Sequence, residues 1–239
     1  MKNVSWRQYA AVYDLMAENN PAYQELVKCY RDFIAANCIT PLQRVLDAGA
    51  GTGNFSLVAA QKLPTAKIIH LEPDLGMNLC VKAKSQTRQI TNLIVDERAI
   101  EAAEFPAAAF DVITSVHALY TMPQPQEQLR RFAAWLRPGG LVFLCDFGRV
   151  MEVADWRNYL FKHLCRENGL LETLKILWRG RQIARENRKI ARLQRHGKYW
   201  MHSPDQFRGA VETAGFQILK QELVYRGCSD LIIAKKICG

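Results

Sequence analysis

Apolar residues recur at three- and four-residue intervals near the start of the chain, where Trp6, Tyr9, Val12, Tyr13 and Met16 fall on one helical face. Asn20-Pro21 then offers a side-chain cap and a proline suited to a first turn, and Tyr23, Leu26, Val27, Tyr30, Phe33 and Ile34 continue the period in a second helix. From Arg44 the pattern changes. Short apolar runs at 45–48, 67–71, 92–95, 111–115 and 141–145 alternate with helical stretches, which predicts a parallel sheet with crossover helices. Pro138-Gly139-Gly140 stops the helix that ends near Leu136, just before the fifth run. After Asp146 the rhythm gives way to helix-like sequence up to Trp200, and Ser203-Pro204-Asp205-Gln206 starts a further helix. Phe207, Val211 and Ala214 form its apolar stripe and Gly215 ends it. Two closing runs, at 217–225 and 229–235, flank Arg226-Gly227-Cys228 and predict a hairpin.

A chain of 239 residues, 49% of them hydrophobic, can bury one large core, so these elements fit a single domain carrying an insertion. Met1-Lys2-Asn3-Val4-Ser5-Trp6 lacks the apolar run of a signal peptide, and the longest apolar runs are too short to cross a bilayer. A soluble cytoplasmic protein is expected. Seven scattered cysteines form no Cys-x-x-Cys pair and no Cys/His cluster of zinc spacing. Cys29, Cys80 and Cys145 sit in apolar patterns as small hydrophobes, and no metal is expected.

Charge adds one region to this picture. The formal net charge is +9, and residues 151–200 hold twelve Lys or Arg against five Asp or Glu. Ile183, Asn187, Ile190 and Leu193 recur there at helical spacing, with Arg181, Arg185, Arg188, Lys189, Arg192 and Arg195 around them. A solvated helix face accounts for this most simply, and binding of an anionic small substrate comes second. RNA and an anionic membrane surface stay open behind them.

The candidate chemistry lies in Val45-Leu46-Asp47-Ala48-Gly49-Ala50-Gly51-Thr52-Gly53-Asn54, where a strand stops, turns tightly and enters a helix. Alternating glycines let bare backbone approach a ligand at a helix start. Asp47 repels a dinucleotide pyrophosphate and attracts a cationic ligand. S-adenosylmethionine carries an ammonium and a sulfonium. At these residues the chain resembles the class I S-adenosylmethionine-dependent methyltransferases of small-molecule type, whose first motif is Asp-x-Gly-x-Gly-x-Gly. The resemblance covers roughly residues 44–147 and the closing hairpin.

It implies an α/β fold: a doubly wound, mostly parallel seven-stranded sheet with a terminal antiparallel hairpin, an N-terminal helical cap and a helical insertion after the fifth strand. The corresponding regions are an N-terminal helical lid (1–40), a Rossmann-like cofactor-binding core (41–148), a basic helical insertion capping the substrate (149–202) and a C-terminal helix and hairpin completing the sheet (203–239).

The same likeness places the cofactor residue by residue. Gly49, Ala50, Gly51 and Gly53 border its methionine part, with Asn54 opening the next helix. Glu72, ending the second strand, suits both ribose hydroxyls, followed by Pro73, by Asp74 near the ribose and by Met77 against the adenine. Ala99 and Ile100 stand where an acid often holds the adenine amine. Ala99 cannot do that, so backbone groups there, or Asp96 or Glu101 nearby, are the substitutes. Ser115 and Val116 end the fourth strand next to His117, the candidate general base because imidazole titrates near neutral pH. Tyr120 is a weaker catalytic candidate.

Tyr9 and Tyr13 lie on the face of a first helix that closes over the site in related enzymes. Tyr13 is the choice for the cofactor and Tyr9 for the substrate. Arg185, Arg188, Tyr199 and His202 are further substrate candidates, the arginines for a carboxylate or phosphate. The expected reaction transfers a methyl group from S-adenosylmethionine to an O, N or C nucleophile of a small molecule, leaving S-adenosylhomocysteine. An RNA methyltransferase and a non-catalytic cofactor-binding protein are the alternatives, and a nicotinamide-dependent oxidoreductase ranks below both.

Overall fold

The computed structural model describes residues 5–37 and 43–237. Residues 1–4, the expected 40/41 boundary, Cys38 and Cys238 lie outside the described residues. Two helices, α1 (Trp6–Asn19) and α2 (Pro21–Asn37), precede β1 (Arg44–Ala48), α3 (Asn54–Lys62), β2 (Lys67–Leu71), α4 (Leu75–Thr87), β3 (Leu93–Asp96), β4 (Phe110–Val116), α5 (Pro125–Trp135) and β5 (Leu136–Phe147). Two long helices follow, α6 (Val153–Arg179) and α7 (Arg181–Arg195), and then α8 (Pro204–Thr213), β6 (Phe216–Val224) and β7 (Ser229–Lys236).

The seven strands form one sheet in the order β3-β2-β1-β4-β5-β7-β6. The first five run parallel, and β7 is antiparallel to both β5 and β6. The order reverses between β1 and β4, so the chain leaves their carboxyl ends in opposite directions and opens a crevice there. One face of the sheet packs an aromatic layer in which Tyr30 meets Phe143 and Phe55 edge-on at 5.0 and 5.2 Å. Thr114 Oγ1 donates to the Tyr30 hydroxyl at 3.0 Å and satisfies it inside that layer. Leu46, Ile113, Phe132, Leu144 and Phe207 fill the other face.

Local signals in the sequence account for several junctions. Asn20 Oδ1 accepts from the Ala22 amide at 3.1 Å, and its Nδ2 donates to the Tyr225 hydroxyl at 2.9 Å, tying the α1–α2 corner to the β6–β7 turn. Ser203 and Gln206 form a reciprocal capping box at the start of α8. The fifth strand begins earlier than the apolar run predicts. Phe110 pairs with Leu136 and the next ladder pair is Val112 with Leu141, so Pro138-Gly139-Gly140 is looped out within β5 instead of preceding it.

The region 153–195 is helical, as the periodicity predicts, but α6 bends at Gly169 (φ 76°, ψ 170°). Helix α7 packs across α1: Tyr9 donates to Asn187 Oδ1 at 2.8 Å, and the Ser5 amide donates to Glu186 Oε2 at 3.2 Å. Glu186, fully buried, also takes Lys189 Nζ at 2.9 Å. No helix among the described residues is long and apolar enough to cross a membrane.

Candidate functional site

A cavity of about 340 Å³ opens at the carboxyl ends of β1, β2 and β4. Its floor is the turn after β1, held by the amides of Gly49 and Ala50 donating to Leu71 O at 2.9 and 3.2 Å. Gly49, Gly51 and Gly53 all adopt positive φ (72°, 55° and 84°), which non-glycine residues rarely tolerate. A Cβ on Gly49 would overlap that of Ala118, whereas one on Gly51 would meet nothing within 4 Å. Gly51 therefore presents bare backbone to the cavity, and Gly49 lets the loop approach the segment after β4.

Four carboxylates line the cavity, Asp47, Glu72, Asp74 and Glu101, and among the described residues no Lys or Arg does. Glu72 accepts the Gly51 amide at 3.0 Å on one oxygen and the Asp74 amide at 2.9 Å on the other, so it braces the glycine turn. Each oxygen keeps a second lone pair for an outside donor. Asp74 is occupied locally, capping α4 by accepting from the Met77 amide at 3.0 Å. Asp47 is buried and accepts from Ser56 Oγ at 2.5 Å, and the same hydroxyl lies 2.9 Å from His70 Nδ1. Burial holds His70 down at about 4, so it gives Asp47 no positive charge. Lys84 is spent on Asp14 (2.9 Å) and Asn54 (3.1 Å) behind the turn.

With no cation to balance it, burial pushes the Asp47 carboxyl from 3.8 up to about 7. Between those values the folded chain keeps a proton that the unfolded chain has released, so stability falls as pH rises through that window. The same burial raises the Glu72 carboxyl and adds to the slope. Thermal unfolding of the ligand-free protein is therefore expected to occur at lower temperature at pH 7 than at acid pH near 4, and Asp47→Asn to flatten part of that dependence. An unchanged slope in the variant would assign it elsewhere.

His117 sits at the far wall with φ 51°. Its amide donates to Cys145 O at 2.7 Å, its ring stacks on Phe147 at 4.1 Å, and Nε2 lies 2.9 Å from Ser229 Oγ on β7. Burial pushes the imidazole down to about 3, so the expectation that it titrates near neutral pH is corrected: it stays neutral there.

Of the sequence candidates, the cavity brings together Tyr13, Asp47, Gly49, Ala50, Gly51, Asn54, Glu72, Pro73, Asp74, Met77, Ala99, Ile100, Val116, His117 and Tyr199. The others lie outside its lining. Gly53 packs against Val81, and Ser115 Oγ donates to Ala48 O at 3.0 Å within the sheet. Tyr120 is buried behind Tyr199, with ring centroids 5.1 Å apart. Tyr9 stacks edge-on against Tyr13 at 5.2 Å and faces α7. Arg185 and Arg188 are exposed on α7, and Arg188 borders a separate surface groove with Glu152. His202 is buried beside Asp230, which also holds Arg149 at 2.5 Å.

Asp96 is paired with Arg98 at 2.6 Å, which leaves Glu101 as the acid beside Ala99 and Ile100. Residues that the sequence reading passed over include Trp6, Tyr23, Phe55, Thr121, Met122 and Pro123. Tyr23 and Phe55 carry the same signal as core aromatics, and the 121–123 segment belongs to no periodic pattern.

A profile described as a methyltransferase domain matches residues 16–221. The chain belongs to this family, the class I S-adenosylmethionine-dependent methyltransferases. This methyltransferase is 34% identical over 119 residues to a ubiquinone biosynthesis O-methyltransferase of Xanthomonas campestris, a match covering 50% of this chain and 49% of that one. It thus spans about half the length of such curated relatives. Magnesium protoporphyrin IX methyltransferase from Synechocystis, solved with bound S-adenosylhomocysteine, shares the fold at TM-score 0.61 and 14% identity over 90% of this chain and 84% of that one. The cyclase SpnF shares it at TM-score 0.65 and 15% identity over 98% and 95%.

S-adenosylmethionine is the cofactor of the family, and the residues around the cavity fit it. A buried carboxylate without a counter-charge, a glycine turn open to the cavity and a strand-end acid with free lone pairs suit an ammonium, a backbone-contacted methionine part and a ribose.

Proposed function

We propose that this methyltransferase moves the cofactor methyl group to an oxygen, nitrogen or carbon nucleophile of a neutral or cationic small molecule beside His117. The observation that carries this reading is the charge of the cavity, which Asp47, Glu72, Asp74 and Glu101 line with no Lys or Arg among the described residues. An anionic acceptor would meet repulsion and no pairing partner there. Arg185 and Arg188, the sequence candidates for holding an anion, stand outside it. When bound, the cofactor supplies an electrophilic methyl group on sulfur.

The chain's own part is alignment, which can supply up to about 7–11 kcal/mol of the barrier. Trp6, Tyr13 and Tyr199 give the acceptor flat apolar walls. His117, pinned by Ser229 on one ring nitrogen, offers a neutral hydrogen-bonding group and only weak base chemistry. The Xanthomonas relative, named for ubiquinone biosynthesis, supports a small-molecule acceptor and leaves its charge open.

The test pairs calorimetric titration of S-adenosylhomocysteine with a screen of methyl acceptors that spans phenols, amines and carboxylates. Expected are cofactor binding, turnover of neutral or amine acceptors and, at saturating cofactor, a kcat/KM for the acceptor to which His117 adds no inflection around neutral pH. Exclusive turnover of carboxylates would overturn the acceptor class. A non-catalytic cofactor-binding protein would instead bind S-adenosylhomocysteine and yield none from S-adenosylmethionine with any acceptor. RNA fits less well, since phosphates would find no cation among the described residues at the cavity.

A further inference from the structure

A group of exposed apolar side chains lies on α6, outside the lining of the cofactor cavity. Beyond the bend at Gly169, α6 turns Leu170, Leu171, Leu174 and Trp178 to solvent, with exposures of 57%, 79%, 50% and 66%. At about 100° per residue these positions span only about 100° of the helix surface, so they form one face. Thr173, about 60° around the helix from Leu170, is fully buried and donates to Gly169 O at 2.7 Å. The face therefore belongs to a packed helix whose orientation is fixed.

Basic residues rim it. The Arg181 guanidinium lies 4.3 Å over the Trp178 ring, and Arg179 and Arg185 are exposed along the same stretch without an ion-pair partner among the described residues. Glu172, the acid beside the face, is paired with Lys175 at 3.0 Å.

We propose that α6 and the start of α7 form a docking surface for an anionic membrane, with Leu170, Leu171, Leu174 and Trp178 entering the acyl boundary. Leucines and a tryptophan ringed by Lys and Arg make the pattern of a helix lying in the plane of the interface. Such basic residues are drawn to the negative surface of an anionic leaflet. Charge decides between occupants. A second copy of the chain would bring Arg179, Arg181 and Arg185 against their counterparts, where like charges repel. RNA would satisfy the arginines and leave four large apolar side chains in water. The surface lies outside the cofactor cavity, so the inference stands independently of the acceptor's identity.

Co-sedimentation of the full chain with vesicles tests it. Vesicles containing phosphatidylglycerol are expected to bind at least about tenfold more tightly than phosphatidylcholine alone, with the difference shrinking as salt rises. The double variant Leu171→Glu, Trp178→Glu is expected to lose binding about tenfold or more while S-adenosylhomocysteine affinity, the measure of folding, stays within about twofold. Trp178→Phe should keep vesicle binding and remove a blue shift of tryptophan emission. Absence of wild-type binding to anionic vesicles overturns the proposal outright. So does a dimer that the double variant dissociates, or salt-sensitive RNA binding without any vesicle binding.

Discussion

Asp47→Asn is expected to weaken S-adenosylhomocysteine binding by about thirty-fold or more, measured calorimetrically above pH 7 where the wild-type carboxyl is ionised. The carboxylate is buried, has Ser56 as its hydrogen-bond donor and faces the cavity without a Lys or Arg among the described lining residues. A ligand ammonium would complete a buried pair, and truncating one partner of such a pair leaves the other charge desolvated. Asparagine keeps the size and can still accept from Ser56, so the turn should persist. The wild-type protein is expected to bind more weakly as pH falls below about 7, because Asp47 then takes up a proton. The variant should lose that dependence along with the affinity. Equal binding by both proteins would mean that the ammonium lies elsewhere and that Asp47 serves only the fold.

Gly49→Ala is expected to abolish tight cofactor binding for a different reason. At φ 72° an alanine carries left-handed strain of about 1–2 kcal/mol, and its Cβ would overlap Ala118 Cβ and lie 3.1 Å from Met122 Cε. Either the glycine turn or the 118–122 segment must move, and both line the cavity. A displacement near 1 Å at such a site costs roughly a hundred-fold. For a chain of this size the strain alone lowers the unfolding temperature by a few degrees, about 2–4 °C per kcal/mol. Ala118→Gly supplies the check: in the double variant the overlap is gone and the strain remains. Binding should recover substantially while the melting temperature stays low. Failure to recover would show that strain, and not the overlap, sets the effect.

Much of the frame was legible because strand burial writes itself into sequence. Runs such as Val45–Ala48 and Lys67–Leu71 carry apolar residues on both faces, with Asp47, Lys67 and His70 as the exceptions, since a parallel sheet between helix layers exposes neither. The capping signals at Asn20 and Ser203 were readable for a similar reason: they work through neighbours two or three residues away. Where pairing partners decide, reading fell short. Leu136 joins β5 because Phe110 lies beside it, and the apolar run 141–145 gives no hint of that bulge.

The sequence by itself determined the glycine turn, the acid before it and the acid one strand later, because these are local requirements of backbone conformation and charge. It also determined the order of strands and helices and the basic character of residues 151–200. Only the tertiary structure decided which side chains share a space. It left Arg185 and Arg188 on the surface of α7 and His202 beside Asp230, and it put Tyr199 and Trp6 at the cavity. It set the surroundings that lower the His117 imidazole, since packing against Phe147 and Ser229 depends on a strand more than a hundred residues away. Spacing along a chain carries the geometry of one element. The environment of a titratable group is set by every element packed around it.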